Sequence, residues 1–105
     1  MDEKESIIQK VRAYKKLVDA LFPVVINECW LYGSYAKGTQ DKYSDIDVAF
    51  VVDHLGDNYD FFHTEPILWK LTRQIDDRIE PLLIARDTDY AGFLNEITQT
   101  GIEIV

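Results

Sequence analysis

The sequence predicts an α+β fold, a mixed β-sheet with flanking helices. Three observations predict it. Apolar residues recur at helical steps over 7–22. Two short runs, 46–52 and 79–85, are rich in apolar and β-branched residues, as strands are. Turn-forming stretches separate these segments in the order α-β-(short α)-β-α-β-α-β, which packs helices on one sheet. At 105 residues the chain reads as one domain, 1–105.

The first helix is expected to start at Ser6 as N-cap. Its core stripe is Ile7, Val11, Tyr14, Val18 and Leu21, widened by Ile8 and Phe22. Gln9, Lys10, Arg12, Lys15, Lys16 and Asp19 form the opposite face, and Pro23 stops the helix. Residues 24–26 then lead into a strand at 29–32 that ends at Gly33. The run 46–52 is continuously apolar after Asp47, which predicts a strand buried on both faces. Residues 53–58 read as a loop.

From 61 to about 77 the pattern is helical again. Phe62, Ile67, Leu68, Leu71 and Ile75 make its core stripe, with Pro66 near the first turn. Trp30 and Trp69 read as core residues rather than nucleobase platforms. The third strand, 79–85, carries Pro81, which argues for an edge, an end or a bulge. A short helix over 90–98 and a final strand over 102–105, after Gly101, complete the chain.

Lys and Arg total 11 against 19 Asp and Glu, a net charge of −8. Such a surface repels phosphate backbones, so general nucleic-acid binding is disfavoured. It suits either a basic partner or solubility alone. Cys29 is the only cysteine, which excludes an internal disulfide and a cysteine-rich zinc site and reads as a small buried hydrophobe. The charged start is unlike a signal peptide, and no apolar run approaches the ~18 residues of a membrane span. A cytoplasmic protein with no membrane association is the expectation.

The stretch that carries chemistry runs from Gly33 to Asp47. A Gly-Ser pair after a strand, opening a short helix, makes a phosphate site: Gly33 permits a tight turn, helix-start amides face the anion, and the Ser34 hydroxyl adds a donor. Asp45 and Asp47 follow. On a strand, residues i and i+2 share a face about 7 Å apart. Two carboxylates in an apolar strand are costly without a partner, and Mg²⁺ is the natural one. One or two such ions could clamp the oxygens of a nucleotidyl transfer. If the third strand lies beside 46–52, Glu80 at its start can complete the acidic cluster and serve as general base. Lys37 and Lys42 could touch phosphate, although a solvated lysine is the simpler reading. His54 and His63 lack ligand spacing and read as surface residues. The EF-hand, Walker and Gly-x-Gly-x-x-Gly patterns are absent.

Gly33-Ser34, then ten residues, then Asp45-x-Asp47 resembles the signature of the polymerase-β-like nucleotidyltransferases. The fuller strings Gly-Ser-Tyr-Ala-Lys-Gly and Ser-Asp-Ile-Asp are similar to the minimal nucleotidyltransferases of prokaryotes. Lys37 stands where those proteins usually have Arg, which keeps the charge but loses bidentate geometry. The resemblance covers 27–53 well, and Glu80 extends it.

It implies the polymerase-β-like nucleotidyltransferase fold and a Mg²⁺-dependent enzyme using ATP or another NTP. Gly33, Ser34 and Lys37 would bind the phosphates. Asp45, Asp47 and Glu80 would be catalytic and hold metal. It also implies a helical HEPN-type toxin as partner, nucleotidylated by an antitoxin of this kind, in a hetero-oligomer. A homo-oligomer, a non-catalytic module that neutralises a partner, or an antibiotic-modifying subunit are the alternatives. Larger relatives append a domain that holds the acceptor, so so short a chain is expected to find that surface in trans.

Overall fold

Asp2, not Ser6, starts the first helix in the computed structural model, which describes residues 2–105. Helix α1 spans Glu3–Leu21, and the Asp2 carboxylate accepts from the Glu5 amide at 2.8 Å. Glu3 and Glu5 in the first turn suit the helix dipole, so the helix extends past Ser6. Strand β1 is Glu28–Tyr32 and strand β2 is Ile46–Val52. Residues 24–26 stay outside the sheet, because β2 ends just beyond Val51, the partner of Glu28. Between the strands lies the four-residue helix α2, Ser34–Lys37.

Helix α3 is Phe61–Thr72, shorter than expected. The chain turns because Gln74 and Asp76 donate back to the Leu71 and Thr72 carbonyls at 3.2 and 2.8 Å. Strand β3 is Ile79–Ala85, followed by a 3-10 turn at Arg86–Thr88. Helix α4 is Phe93–Thr100, starting three residues later than expected. Asp89 sets that start by accepting from the amides of Phe93 and Leu94 at 3.1 and 2.8 Å. Strand β4 is only Ile102–Glu103.

The sheet order is β3-β2-β1-β4. β1 is antiparallel to β2 and β4, while β2 and β3 are parallel, so the sheet is mixed as the sequence implies. β3 lies at an edge, where Pro81 removes no essential donor. Alternation along β2 divides the core. Ile46, Val48 and Phe50 pack under α1 and α3; Ala49 and Val51 pack with Leu94 and Ile97 of α4. The buried Tyr14 hydroxyl donates to the Leu68 carbonyl at 2.7 Å and ties α1 to α3. Burial pushes the Cys29 thiol up to about 12, as for an inert core residue.

Two aromatic expectations fail. Phe62 is 91% exposed and Trp69 48% exposed. At 100° per residue both lie about 100–120° round α3 from the buried Leu68, outside its core stripe. Trp30 is half-buried against the α4-side cluster, its indole donating to Glu28 at 2.9 Å. Among the described residues no helix is long and apolar enough to cross a membrane.

Candidate functional site

β1 ends at Tyr32, and the next residue turns sharply. Gly33 has φ +74° and caps α2, a conformation L side chains rarely adopt. The Lys37 amide donates to the Gly33 carbonyl at 3.1 Å and the Thr39 amide to that of Ser34 at 3.0 Å. The amides at the start of this single turn have no carbonyl one turn earlier to bond. Gly38, φ +76°, releases the chain into the 39–45 loop. Asp41 and Ser44 shape that loop: the Asp41 amide donates to the Ser44 hydroxyl at 2.9 Å, and the Tyr43 amide to the Asp41 carboxylate at 2.8 Å. Lys42 stays on this loop, with its ammonium 5.0 Å from the centre of the Tyr43 ring.

The loop delivers Asp45 just ahead of β2, not on it. Asp47 is the second residue of β2. It stands opposite Tyr32 of β1 and opposite Glu80 of β3 in the strand register. These residues belong to the α4 side of the sheet, two positions before Ala49. Gly33 comes so close that a Cβ there would lie 2.2 Å from the Asp47 Oδ2. The sequence-predicted Gly33, Asp45, Asp47 and Glu80 are therefore brought to one end of the sheet.

Their charges repel. Burial, then the Asp45 charge, raises the Asp47 carboxyl above its usual range. Glu80 is raised by burial, then by Asp45 and Asp47. Burial and the same two acids, Asp47 and Glu80, push the Tyr32 hydroxyl up to about 12. A cavity of about 250 Å³ adjoins this end, between α4 and the Gly33 turn. Tyr32, Gly33, Lys37, Phe93 and Glu96 line it. The Phe93 ring meets Tyr32 edge-on, centroids 5.9 Å apart. Lys37 is thus at the cavity wall, while Lys42 is not.

Sequence reasoning missed Tyr32, Phe93 and a brace behind the turn. Asp76 accepts from the Arg78 amide, Nε and Nη2 at 2.9, 3.0 and 2.8 Å, and from Lys10 Nζ at 2.8 Å. Arg78 Nη1 then donates to the hydroxyl of buried Tyr35, in α2, at 2.9 Å. The Arg78 carbonyl accepts from the Ile46 amide, between Asp45 and Asp47, at 2.9 Å. The Asp76-x-Arg78-x-Glu80 spacing was a visible signal, but Lys10 and Tyr35 are distant in sequence.

The profile of the nucleotidyltransferase domain family matches residues 11–97. The chain belongs to that family. As a nucleotidyltransferase it is 26% identical over 98 residues to a protein of Methanocaldococcus jannaschii named "Putative protein adenylyltransferase MJ0141", covering 93% of this chain and 98% of the relative. Its fold is similar to a Sulfolobus solfataricus crystal structure named for a "putative nucleotidyltransferase": TM-score 0.64, 18% identity, 95% of this chain and 80% of that one. A toxin-antitoxin structure with AMP-PNP is alike to the same degree: TM-score 0.64, 21% identity, 90% and 72% covered. The mixed sheet with flanking helices is thus the nucleotidyltransferase fold.

Nucleotidyltransferases use NTP substrates and divalent metals, and the donors here suit a hard cation: Asp45, Asp47 and Glu80 offer only carboxylate oxygens. Among the described residues no three His, Cys, Asp or Glu side chains converge as a ready-made metal group. A cation at this nucleotidyltransferase's carboxylates would complete its shell with substrate phosphate and water oxygens, the usual habit of Mg²⁺. Gly33→Ala tests the close approach. Strain at φ +74°, ψ −153°, a region open essentially to glycine alone, adds about 1–3 kcal/mol to the clash with Asp47. The variant should melt lower than wild type, and the cost should shrink in an Asp47→Ala background. Equal costs in both backgrounds, read by thermal melts, would refute the contact as the cause.

Proposed function

We propose that residues 1–105 form a single domain of the minimal nucleotidyltransferase type, moving AMP from ATP to a hydroxyl of a partner protein with Mg²⁺ as its metal. One observation carries the reading: Asp47 stands between the Gly33 turn and Glu80, so a helix-start turn and the carboxylates share one end of the sheet. Gly33, Ser34 and Lys37 hold the triphosphate through amides, a hydroxyl and a charge. Asp45, Asp47 and Glu80 hold the cation, which supplies charge neutralisation at the phosphates. Glu80 also takes the proton of the acceptor hydroxyl. The acceptor oxygen bonds to the α-phosphorus, the bond to the α,β-bridging oxygen breaks, and pyrophosphate leaves.

Similarity to a protein named as a protein adenylyltransferase supports a protein acceptor. Similarity to a toxin-antitoxin structure supports a toxin as that partner, and we take it to be a helical HEPN-type protein in a hetero-oligomer. The test mixes the purified chain and partner with Mg²⁺ and ATP labelled at either the α- or the γ-phosphate. Label from the α-phosphate on the partner, with one nucleotidyl group by intact mass, is the expected result. Label from the γ-phosphate only would make it a kinase. A stable complex without label would select the non-catalytic module.

A further inference from the structure

We infer that two copies of this chain associate through the exposed face of α3, pairing the two helices antiparallel across a twofold axis. A shallow groove of about 1180 Å³ runs along this helix. Phe61, Phe62, Pro66 and Trp69 supply its apolar wall. Phe62 and Trp69 are seven residues apart and so lie within about 20° of each other round the helix. Phe61, Phe62 and Trp69 are 58%, 91% and 48% exposed. A contiguous aromatic stripe of this kind on a surface helix marks an interaction site.

Charge selects the occupant. The whole chain carries −8, yet the groove carries two acids, Glu65 and Asp77, and two bases, Lys70 and Arg73. Among the described residues none of these four is in an ion pair. Three of the four are ordered along α3, with Glu65 toward its start and Lys70 and Arg73 toward and just past its end, while Asp77 lies beyond the helix. A parallel neighbour would set like against like. An antiparallel second copy with its axis between residues 67 and 69 brings Glu65 of each helix to Lys70 or Arg73 of the other. That register also stacks the Pro66–Trp69 segments on each other. An isologous interface needs this self-complementarity, since the same patch serves both sides. A basic partner drawn by the −8 charge would find no excess of acid here.

The three aromatics expose roughly 400 Å², about half of the ~800 Å² per partner in a standard interface. The dimer therefore belongs with the small, weak interfaces and is concentration-dependent. α3 packs on the sheet face away from Asp47, so dimerisation leaves the proposed nucleotide site open.

Sedimentation velocity of the full chain from low to high micromolar concentration tests this. A monomer–dimer equilibrium is expected, with a concentration-dependent shift in Trp69 fluorescence. Phe62→Asp should weaken association at least tenfold with an unchanged melting temperature at low concentration, because Phe62 buries little in the monomer. Glu65→Lys alone, and Lys70→Glu with Arg73→Glu, should each abolish self-association, and mixing these two variants should restore a heterodimer. A monomer throughout the range overturns the proposal. So does a dimer indifferent to Phe62→Asp, or a monomer whose α3 variants instead lose a separate partner protein.

Discussion

Asp47→Asn should raise the melting temperature of the metal-free protein and remove nucleotidyl transfer. Asp47 is half-buried, close against Gly33 and within reach of the Asp45 charge, and its carboxyl is raised above the ordinary 3.8 by burial and then by Asp45. The folded protein therefore holds this proton more tightly than the unfolded chain. Stability then falls as pH climbs from 3.8 until Asp47 ionises in the folded state. Asparagine keeps the shape without the charge, so the variant lacks that part of the decline and gains stability at neutral pH. On the proposed reading, the carboxylate also holds the cation that neutralises developing charge. Several kcal/mol of that stabilisation corresponds to a loss of about 10³-fold or more in kcat/KM. Melts across acid to neutral pH with a chelator present, beside α-phosphate label transfer, read both effects. A variant that melts lower, or transfers near the wild-type rate, contradicts this account.

This opposition of stability and activity at one residue also explains what the sequence made legible. Asp47 stood out because an acid inside Ile46–Val52, a run buried at all its other positions, is hard to account for by packing. β2 and β3 were readable for the same reason: continuous apolar, β-branched segments admit few other placements. Gly33, Ser34, Asp45 and Glu80 followed from spacing and residue type.

What spacing does not carry is register. Nothing local says that Tyr32 faces Asp47, or that Asp47 faces Glu80; that depends on how two strands pair. Helix starts were misread where two side chains could cap. Asp2 competes with Ser6, and Asp89 draws the start of α4 past Tyr90. Phe62 and Trp69 were misplaced because hydrophobicity alone does not distinguish a core stripe from an exposed one. Those two exposed rings are the departures on which the α3 interface rests.

The longest-range departure predicts the largest stability effect. Asp76→Ala should destabilise the fold by about 2–3 kcal/mol, the range for losing hydrogen bonds to a charged group. For a domain this size that is a fall in melting temperature of roughly 10 °C or more. The Asp76 side chain is 11% exposed and binds both Lys10 of α1 and Arg78 ahead of β3. Arg78, through its hydrogen bonds, holds its carboxyl far below the usual range. A depressed carboxyl stabilises at every pH above 3.8, and that stability is lost as pH falls from there through the folded value. Wild type should therefore lose stability below about pH 4 more steeply than the Ala variant. The same substitution frees Arg78, whose remaining contacts run to the Tyr35 hydroxyl and to the Ile46 amide. Slack there reaches the Gly33 turn and the Asp45–Asp47 segment together. Tyr35→Phe separates the two consequences, since it cuts only the last link. It should raise the KM for ATP while leaving the acid limb of the stability curve as in wild type. Matching acid limbs in wild type and Asp76→Ala would refute the brace, whereas an unchanged KM in Tyr35→Phe would confine it to stability.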